Sequence, residues 1–144
     1  MTSDEEQSLF QAAAALAKVQ AAQDSDGVGV AAAALTEDGT TLTGLWIDAM
    51  CNSACLCAET GPICDAHGTG RKLTASICVR WMESSGATVQ AACGICQERL
   101  AFFGTGILIG VADNSERGFQ FSPLAILRSS PWWDVLETEP TDSA

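Results

Sequence analysis

Two stretches of the sequence decide its fold: Cys55-Leu56-Cys57-Ala58-Glu59 and Cys93-Gly94-Ile95-Cys96. The first contains a C-x-E pattern, and the second, well downstream, is a C-x-x-C pair. Thiolates from Cys57, Cys93 and Cys96, here called the cysteine cluster, are enough to hold Zn²⁺ and leave its fourth position for water. Glu59 follows the first ligand by two residues, where a carboxylate is placed to carry protons to and from that water. The two stretches therefore predict an open zinc site beside an unligated carboxylate.

Two other uses of these cysteines remain open from the residues alone. In the first, Cys51, Cys55 or Cys64 completes a closed, structural four-cysteine zinc site, or the thiols are buried structural cysteines. A redox protein that cycles Cys93 and Cys96 between dithiol and disulfide would need no zinc. The C-x-x-C pair alone is common, but its combination with the earlier C-A-E is much more specific and favours the open site.

Composition limits the class of protein and the class of ligand. The chain has 144 residues, of which 47% are hydrophobic, which predicts one folded domain over residues 1–144. Its formal charge of −11 makes the surface repel a polyphosphate, which argues against DNA or RNA as a substrate. We therefore expect a small-molecule ligand.

The sequence also indicates a compartment. Residues 1–7 are acidic and polar, without the basic start of a signal peptide, and no apolar run is long enough to cross a bilayer. The seven cysteines cannot all be paired within one chain. These features predict a cytoplasmic protein with reduced thiols and no contact with membranes.

Hydrophobic periodicity and turn residues predict an α/β protein. We expect helices at 4–22, 55–66, 94–102 and 123–128, and strands at 28–35, 41–47, 73–81, 106–112 and 119–121. An initial hairpin followed by alternating strands and helices gives a three-layer α/β/α sandwich. Its active residues belong at helix N-termini beside the strand ends. Residues 137–144 are predicted to form a loose acidic tail.

The chain resembles the cytidine deaminase family of small homotetrameric zinc enzymes, with blasticidin S deaminase as a close cousin. Similarity covers most of the sequence and rests on three stretches: residues 32–39, Cys57-Ala58-Glu59, and residues 92–98 in place of the family's P-C-G-x-C-R-Q. The resemblance implies a five-stranded mixed sheet and one catalytic Zn²⁺ per subunit. It also implies a homotetramer or homodimer whose active sites are completed by neighbouring subunits.

The implied activity is hydrolytic deamination of a cytosine-like nucleoside, nucleobase or related amino-heterocycle, with release of ammonia. Glu59 would be the catalytic proton shuttle and the cysteine cluster would bind the metal. The backbone N–H of Ala58 would donate to a ring carbonyl. The alternative is a non-catalytic, zinc-stabilised binding or assembly domain of the same fold. The free carboxylate of Glu59 favours the enzyme, because a structural zinc site needs no such group.

Substrate recognition departs from the family at several positions. The family's N-x-E, which grips ribose ahead of C-A-E, is replaced by Trp46 and Asp48. An aspartate still accepts a hydrogen bond from a hydroxyl, but a tryptophan cannot imitate asparagine. Trp132 and Trp133 lie where the family places an aromatic lid; one of them anchors the tail and the other stacks on the substrate, and Trp133 is taken as the stacking residue while the choice between the two stays open. The substrate-binding residues predicted are therefore Trp46, Asp48, Ala58 and Trp133.

Overall fold

A computed structural model describes residues 1–128, in which helices cover both faces of one mixed sheet. The helices are α1 (Ser3–Gln23), α2 (Thr60–Thr69), α3 (Gly94–Leu100) and α4 (Leu124–Leu127), with 3₁₀ turns at Asn52–Ala54 and Ala101–Phe103. The strands are β1 (Val28–Thr36), β2 (Thr41–Leu45), β3 (Leu73–Met82), β4 (Gly86–Gln90), β5 (Leu108–Ala112) and β6 (Phe119–Pro123). Trp132, Trp133 and the predicted tail lie outside the described residues.

The sheet has the predicted mixed topology and one additional strand. Five strands follow the order β2-β1-β3-β5-β6, and β3 is antiparallel to β1 but parallel to β5. The sixth strand, β4, pairs antiparallel with the second half of β3, where Cys78 faces Gln90 and Met82 faces Gly86. This sixth strand is absent from the strands that the sequence predicts. The α/β/α sandwich is confirmed.

Helix α1 packs closely against one face of the sheet. A capping box starts it, since Thr2 accepts from the Glu5 backbone N–H and the Glu5 carboxylate accepts from the Thr2 N–H. Small residues then allow close contact with β1. A Cβ atom placed on Gly29 would stand 1.8 Å from the carbonyl oxygen of Ala17, so only glycine fits between helix and strand.

The second helix begins later than predicted. Helix α2 starts at Thr60, because the preceding segment is held extended by paired hydrogen bonds between Ile47 and Leu56. Pro62 then falls in the first turn, where its missing N–H would have had no helical partner. As a result Cys57 and Glu59 precede the helix and do not lie within it.

Two apolar cores lie on opposite faces of the sheet and fix the layers around it. Leu9, Ala33, Ile77 and Phe119 belong to the core beneath α1. The core on the other face joins β5 and α4 to α2 and α3, and it includes Cys96. Among residues 1–128, no helix has both the length and the apolar character that a bilayer crossing requires.

Candidate metal centre and its cavity

The cysteine cluster forms a compact triangle of sulfur atoms. The Sγ atoms of Cys57, Cys93 and Cys96 all lie within 4.8 Å of one another, and those of Cys57 and Cys93 are 3.5 Å apart. A tetrahedral ion bound at about 2.3 Å requires sulfur atoms about 3.8 Å apart. The three thiols therefore fit Zn²⁺ without a large rearrangement, and thiolate is a ligand that zinc favours. Within the described residues this is the one such cluster of metal-ligating side chains.

Separate segments bring these sulfurs together. Cys57 stands in the extended segment before α2, and its carbonyl oxygen accepts from the Thr60 N–H at 3.0 Å. Cys93 is the N-cap residue of α3, with extended backbone angles, and its carbonyl accepts from Gln97 at 2.8 Å. Cys96 lies in the first turn of α3 and is fully buried. Both cysteines of the C-x-x-C pair therefore reach one point from the first turn of α3.

Backbone donors and burial act in opposite directions on the thiols. Burial raises the pKa of Cys57, and the neighbouring Cys93 raises it further. Burial also raises the pKa of Cys96, helped by the negative groups Glu59, Cys57 and Cys93. For Cys93 burial acts upward as well, but hydrogen bonds from the backbone N–H of Cys96 and from the Cys57 thiol outweigh it and lower the pKa. Three thiolates this close to one another therefore require a cation.

Glu59 is buried beside the cysteine cluster and belongs to no ion pair within residues 1–128. Glu59 is 4% exposed and lies immediately before the first residue of α2. Burial raises the pKa of its carboxyl, while hydrogen bonds from its own backbone N–H and from the Cys96 thiol partly oppose the increase. A carboxyl whose pKa is raised exchanges its proton more readily near neutral pH, which suits proton transfer.

A cavity of about 370 Å³ opens over the metal centre; we call it the site cavity. Its lining includes Cys57, Cys93, Glu59 and Ala58 together with Trp46. The volume is in the range of small-molecule sites. Two of the predicted substrate-binding residues, Trp46 and Ala58, therefore line the cavity, whereas Trp133 is outside the described residues.

Asp48, Cys51, Cys55 and Cys64 do not line the site cavity. Asp48 is exposed, and its carboxylate accepts from the Cys55 thiol at 3.5 Å. Cys55 also accepts from the Ala49 N–H at 3.4 Å, so its sulfur organises this loop. Cys51 is exposed and contacts the Ser53 hydroxyl, and Cys64 is exposed on α2. None of these three thiols joins the cysteine cluster, so a closed four-cysteine site does not form.

Sequence reasoning missed several lining residues that come from the sheet. Val30 on β1, Arg80 on β3 and Gln90 on β4 all face the site cavity. A further residue, Gln20 of α1, fixes one side of it: its amide donates to the Trp46 carbonyl at 2.8 Å and accepts from the Val30 N–H at 2.9 Å. Strand register places these side chains, and only the alternation of β3 could have indicated that Cys78 and Arg80 share a face.

The fold is similar to solved cytidine deaminases. The crystal structure of cytidine deaminase from Bacillus anthracis is 34% identical in sequence, with a TM-score of 0.82, and the match covers 92% of both chains. A mutant cytidine deaminase from Mycobacterium tuberculosis is 30% identical over 84% of this chain and 89% of its own, with a TM-score of 0.65. The cytidine deaminase from Mycobacterium leprae is 26% identical over 86% and 97%, also with a TM-score of 0.65.

Comparison by sequence found no counterpart of this kind. No protein-family model matches the chain, and no curated protein matches it.

Proposed function

The chain belongs to the cytidine deaminase family, and we propose that it is a zinc-dependent hydrolase that removes ammonia from an amino-heterocycle. The substrate class is a cytosine-like nucleoside, a nucleobase or a related compound such as blasticidin S. The observation that carries the proposal is the buried carboxyl of Glu59 beside three sulfurs that converge on one point. A structural zinc site has no use for an unligated carboxyl at that place.

The cysteine cluster would hold the metal, and Glu59 would move the protons. A bound Zn²⁺ supplies a Lewis acid that makes a water molecule acidic enough to act as a nucleophile near neutral pH. Glu59 would take one proton from the attacking water and deliver it to the ring nitrogen, and would then take the hydroxyl proton of the adduct and deliver it to the departing amine, so that the carbon–nitrogen bond breaks, ammonia leaves and a ring carbonyl remains. Burial maintains the raised pKa that this exchange needs.

The remaining walls would bind and orient the ring. Trp46 offers an aromatic face to a flat heterocycle. The Gln20 side chain, which is hydrogen-bonded to the Trp46 carbonyl and to the Val30 N–H, holds the Trp46 backbone against β1. The backbone N–H of Ala58, which is fully buried between Cys57 and Glu59, is the proposed donor to a ring carbonyl. Asp48 and Trp133 remain proposals for contacts with the rest of the substrate, in a site completed by neighbouring subunits.

We also propose that the active protein is a homotetramer or homodimer. Exposed apolar side chains gather where the extended segment before α2 meets the end of β2: Leu45, Ile47, Met50 and Leu56. Ile47 is 54% exposed and is bonded through its backbone to Leu56, so the two side chains belong to one patch. Ile47→Lys should lower the oligomeric mass measured by light scattering. The seven free thiols suit the reducing cytoplasm, where we place the protein.

Ammonia release from a substrate panel tests the activity. The panel contains cytidine, deoxycytidine, cytosine, blasticidin S, and aminated purines and triazines, each assayed with zinc-loaded protein. Glu59→Gln should lower turnover by about 10²- to 10⁴-fold, since it removes proton transfer but keeps the shape of the side chain. Its zinc content should stay at one ion per chain. Absence of turnover for every compound with zinc bound would favour a binding domain, and full activity of Glu59→Gln would contradict the shuttle.

A further inference from the structure

Arg80 places a positive charge on the wall of the site cavity. It lies on β3 two residues beyond Cys78, so both side chains project from the same face of the sheet. The neighbouring strands oppose it with Val30 and Thr88. Cα atoms two residues apart on a strand are about 7 Å from each other. Strand β4 runs from Gly86, opposite Met82, to Gln90, opposite Cys78, and then leads to Cys93, so the cysteine cluster lies toward the Cys78 end of β3 and Arg80 stands farther from it.

Arg80 differs from the other arginines because it lacks a side-chain partner within residues 1–128. The remaining four each bind an acidic or hydroxyl side chain: Arg71 with Asp38, Arg117 with Glu6, Arg128 with Glu98 and Arg99 with Thr60. The chain has 18 acidic and seven basic residues, so carboxylates are abundant. The half-buried Arg80 has lost part of its hydration, and no ion pair compensates for that loss.

The charges around the site cavity make this arrangement specific. Arg80 is the one basic side chain among its lining residues, which also include Glu59, Cys57 and Cys93. Arg80 and Glu59 form no ion pair, so the cation is not used to neutralise the carboxylate. An anionic ligand approaching a chain of net charge −11 is repelled at long range and needs a local cation to be held.

We propose that Arg80 binds an anionic group, a carboxylate or a phosphate, carried by the amino-heterocycle at a position remote from the reacting amine. The inference rests on the proposed function, since it assigns the same cavity to the same ligand. A guanidinium binds either oxyanion through two parallel hydrogen bonds, which a lysine cannot do. Arg80 is thus a specificity residue that selects charged over neutral substrates.

Binding of reaction products by zinc-loaded, full-length protein tests this without depending on turnover. The calorimetric ligands are neutral uridine, uridine 5′-monophosphate and uracil-1-acetic acid, so the last two separate phosphate from carboxylate. The variants are Arg80→Gln and Arg80→Lys. The control is Lys72→Gln, which removes the same charge from an exposed residue that does not line the site cavity.

Wild-type protein should bind at least one of the anionic ligands more tightly than uridine, and the preference should fall as salt is added. Arg80→Gln should weaken that ligand by about 10- to 100-fold, the usual effect of losing a charge-assisted hydrogen bond. The affinity of Arg80→Gln for uridine should equal that of wild-type protein. This result also verifies that the cavity of the variant is folded. Arg80→Lys should be intermediate, and Lys72→Gln should match wild type.

Equal affinities of wild-type protein for uridine and both anionic ligands would overturn the inference, as would failure of the anionic ligands to bind or an equal loss in Lys72→Gln. Ammonia release from cytidine and its charged analogues reports separately on the proposed function. Anion preference without deamination rejects the deaminase and keeps Arg80 as a binding residue. Deamination of cytidine without anion preference keeps the deaminase and rejects the role of Arg80.

Discussion

Gly44 is the residue through which β2 supports the metal centre. The strand crosses the segment that leads into α2, and a Cβ atom on Gly44 would stand 2.3 Å from the Ala58 carbonyl oxygen and 2.6 Å from Cδ of Pro62. Ordinary contacts begin at 3.4 Å. Gly44→Ala must therefore push the two backbones apart by about 1 Å, since a carbonyl and a proline ring have no flexible end that can turn aside.

That displacement reaches the proposed metal ligands directly. Cys57 and Glu59 flank Ala58, whereas Cys93 stands on a different element and does not move with them. Metal–ligand distances are maintained to within about 0.2 Å, so a shift of about 1 Å opens the triangle of sulfurs beyond what one ion spans. We expect zinc affinity to fall by about 10- to 100-fold, the effect of disturbing the support of a ligand. The overpacked contact should also cost about 1–3 kcal/mol of unfolding free energy.

Zinc competition with a chromophoric chelator measures the affinity, and urea unfolding with and without excess chelator measures the stability. Gly68→Ala is the matched control, because the same methyl group is added within α2 where nothing lies within 4 Å. It should stabilise the protein by about 0.4–1 kcal/mol through the unfolded chain and leave zinc binding unchanged. Wild-type zinc affinity in Gly44→Ala would refute the reasoning, as would equal stability changes in the two variants.

Three further predictions concern the metal, the core and a turn. Cys96→Ser should reduce zinc measured by atomic absorption from one ion per chain to a substoichiometric amount; retention of a full ion would show that Cys96 is not a ligand. Phe119→Ala should lower the unfolding free energy measured in urea by about 3–5 kcal/mol, because this fully buried ring stacks on Phe10 at 4.8 Å; a cost below about 1 kcal/mol would contradict the packing. Hydrogen bonds from the Thr36 hydroxyl and from Thr40 lower the pKa of Asp38 to about 2 from 3.8, so its stabilising effect should be complete above pH 3.8 and disappear as pH falls through about 2; a carboxyl NMR titration with an unshifted midpoint would refute this.

Local spacing was enough to predict that Cys57, Cys93 and Cys96 form one cluster, but not the walls around it. The C-x-x-C spacing restricts two sulfurs to one helical turn, so Cys93 and Cys96 could be paired from sequence. Cys57 and Glu59 were identified by pattern, although the helix expected to contain them starts after both. Competition between a helical pattern and the pairing of Leu56 with Ile47 decided that boundary, and such pairing depends on a contact that no local window contains.

Residues of the sheet were harder to place because register determines which way they face. A shift of one residue in the pairing of β3 would turn Arg80 to the opposite face, toward α1. The missed strand β4 is short and contains Gly86 and Ala87, which are poor strand formers, so tertiary pairing overrides propensity there. Asp48, expected near the substrate from its distance to the C-A-E pattern, accepts from the Cys55 thiol and does not line the site cavity, so its contact with substrate stays a prediction.

The close fit of α1 against β1 has a consequence for how new specificities can arise. Alternate residues of β1 look in opposite directions: Gly29 meets the helix, while Val28 and Val30 line the site cavity. Because no spare volume separates Gly29 from Ala17, a methyl group added behind the sheet cannot be absorbed and must tilt the strand forward. Substitutions where α1 packs against β1 can thus reshape the cavity on the opposite face of the sheet. A screen for altered ligand preference that randomises only the lining residues would miss these positions.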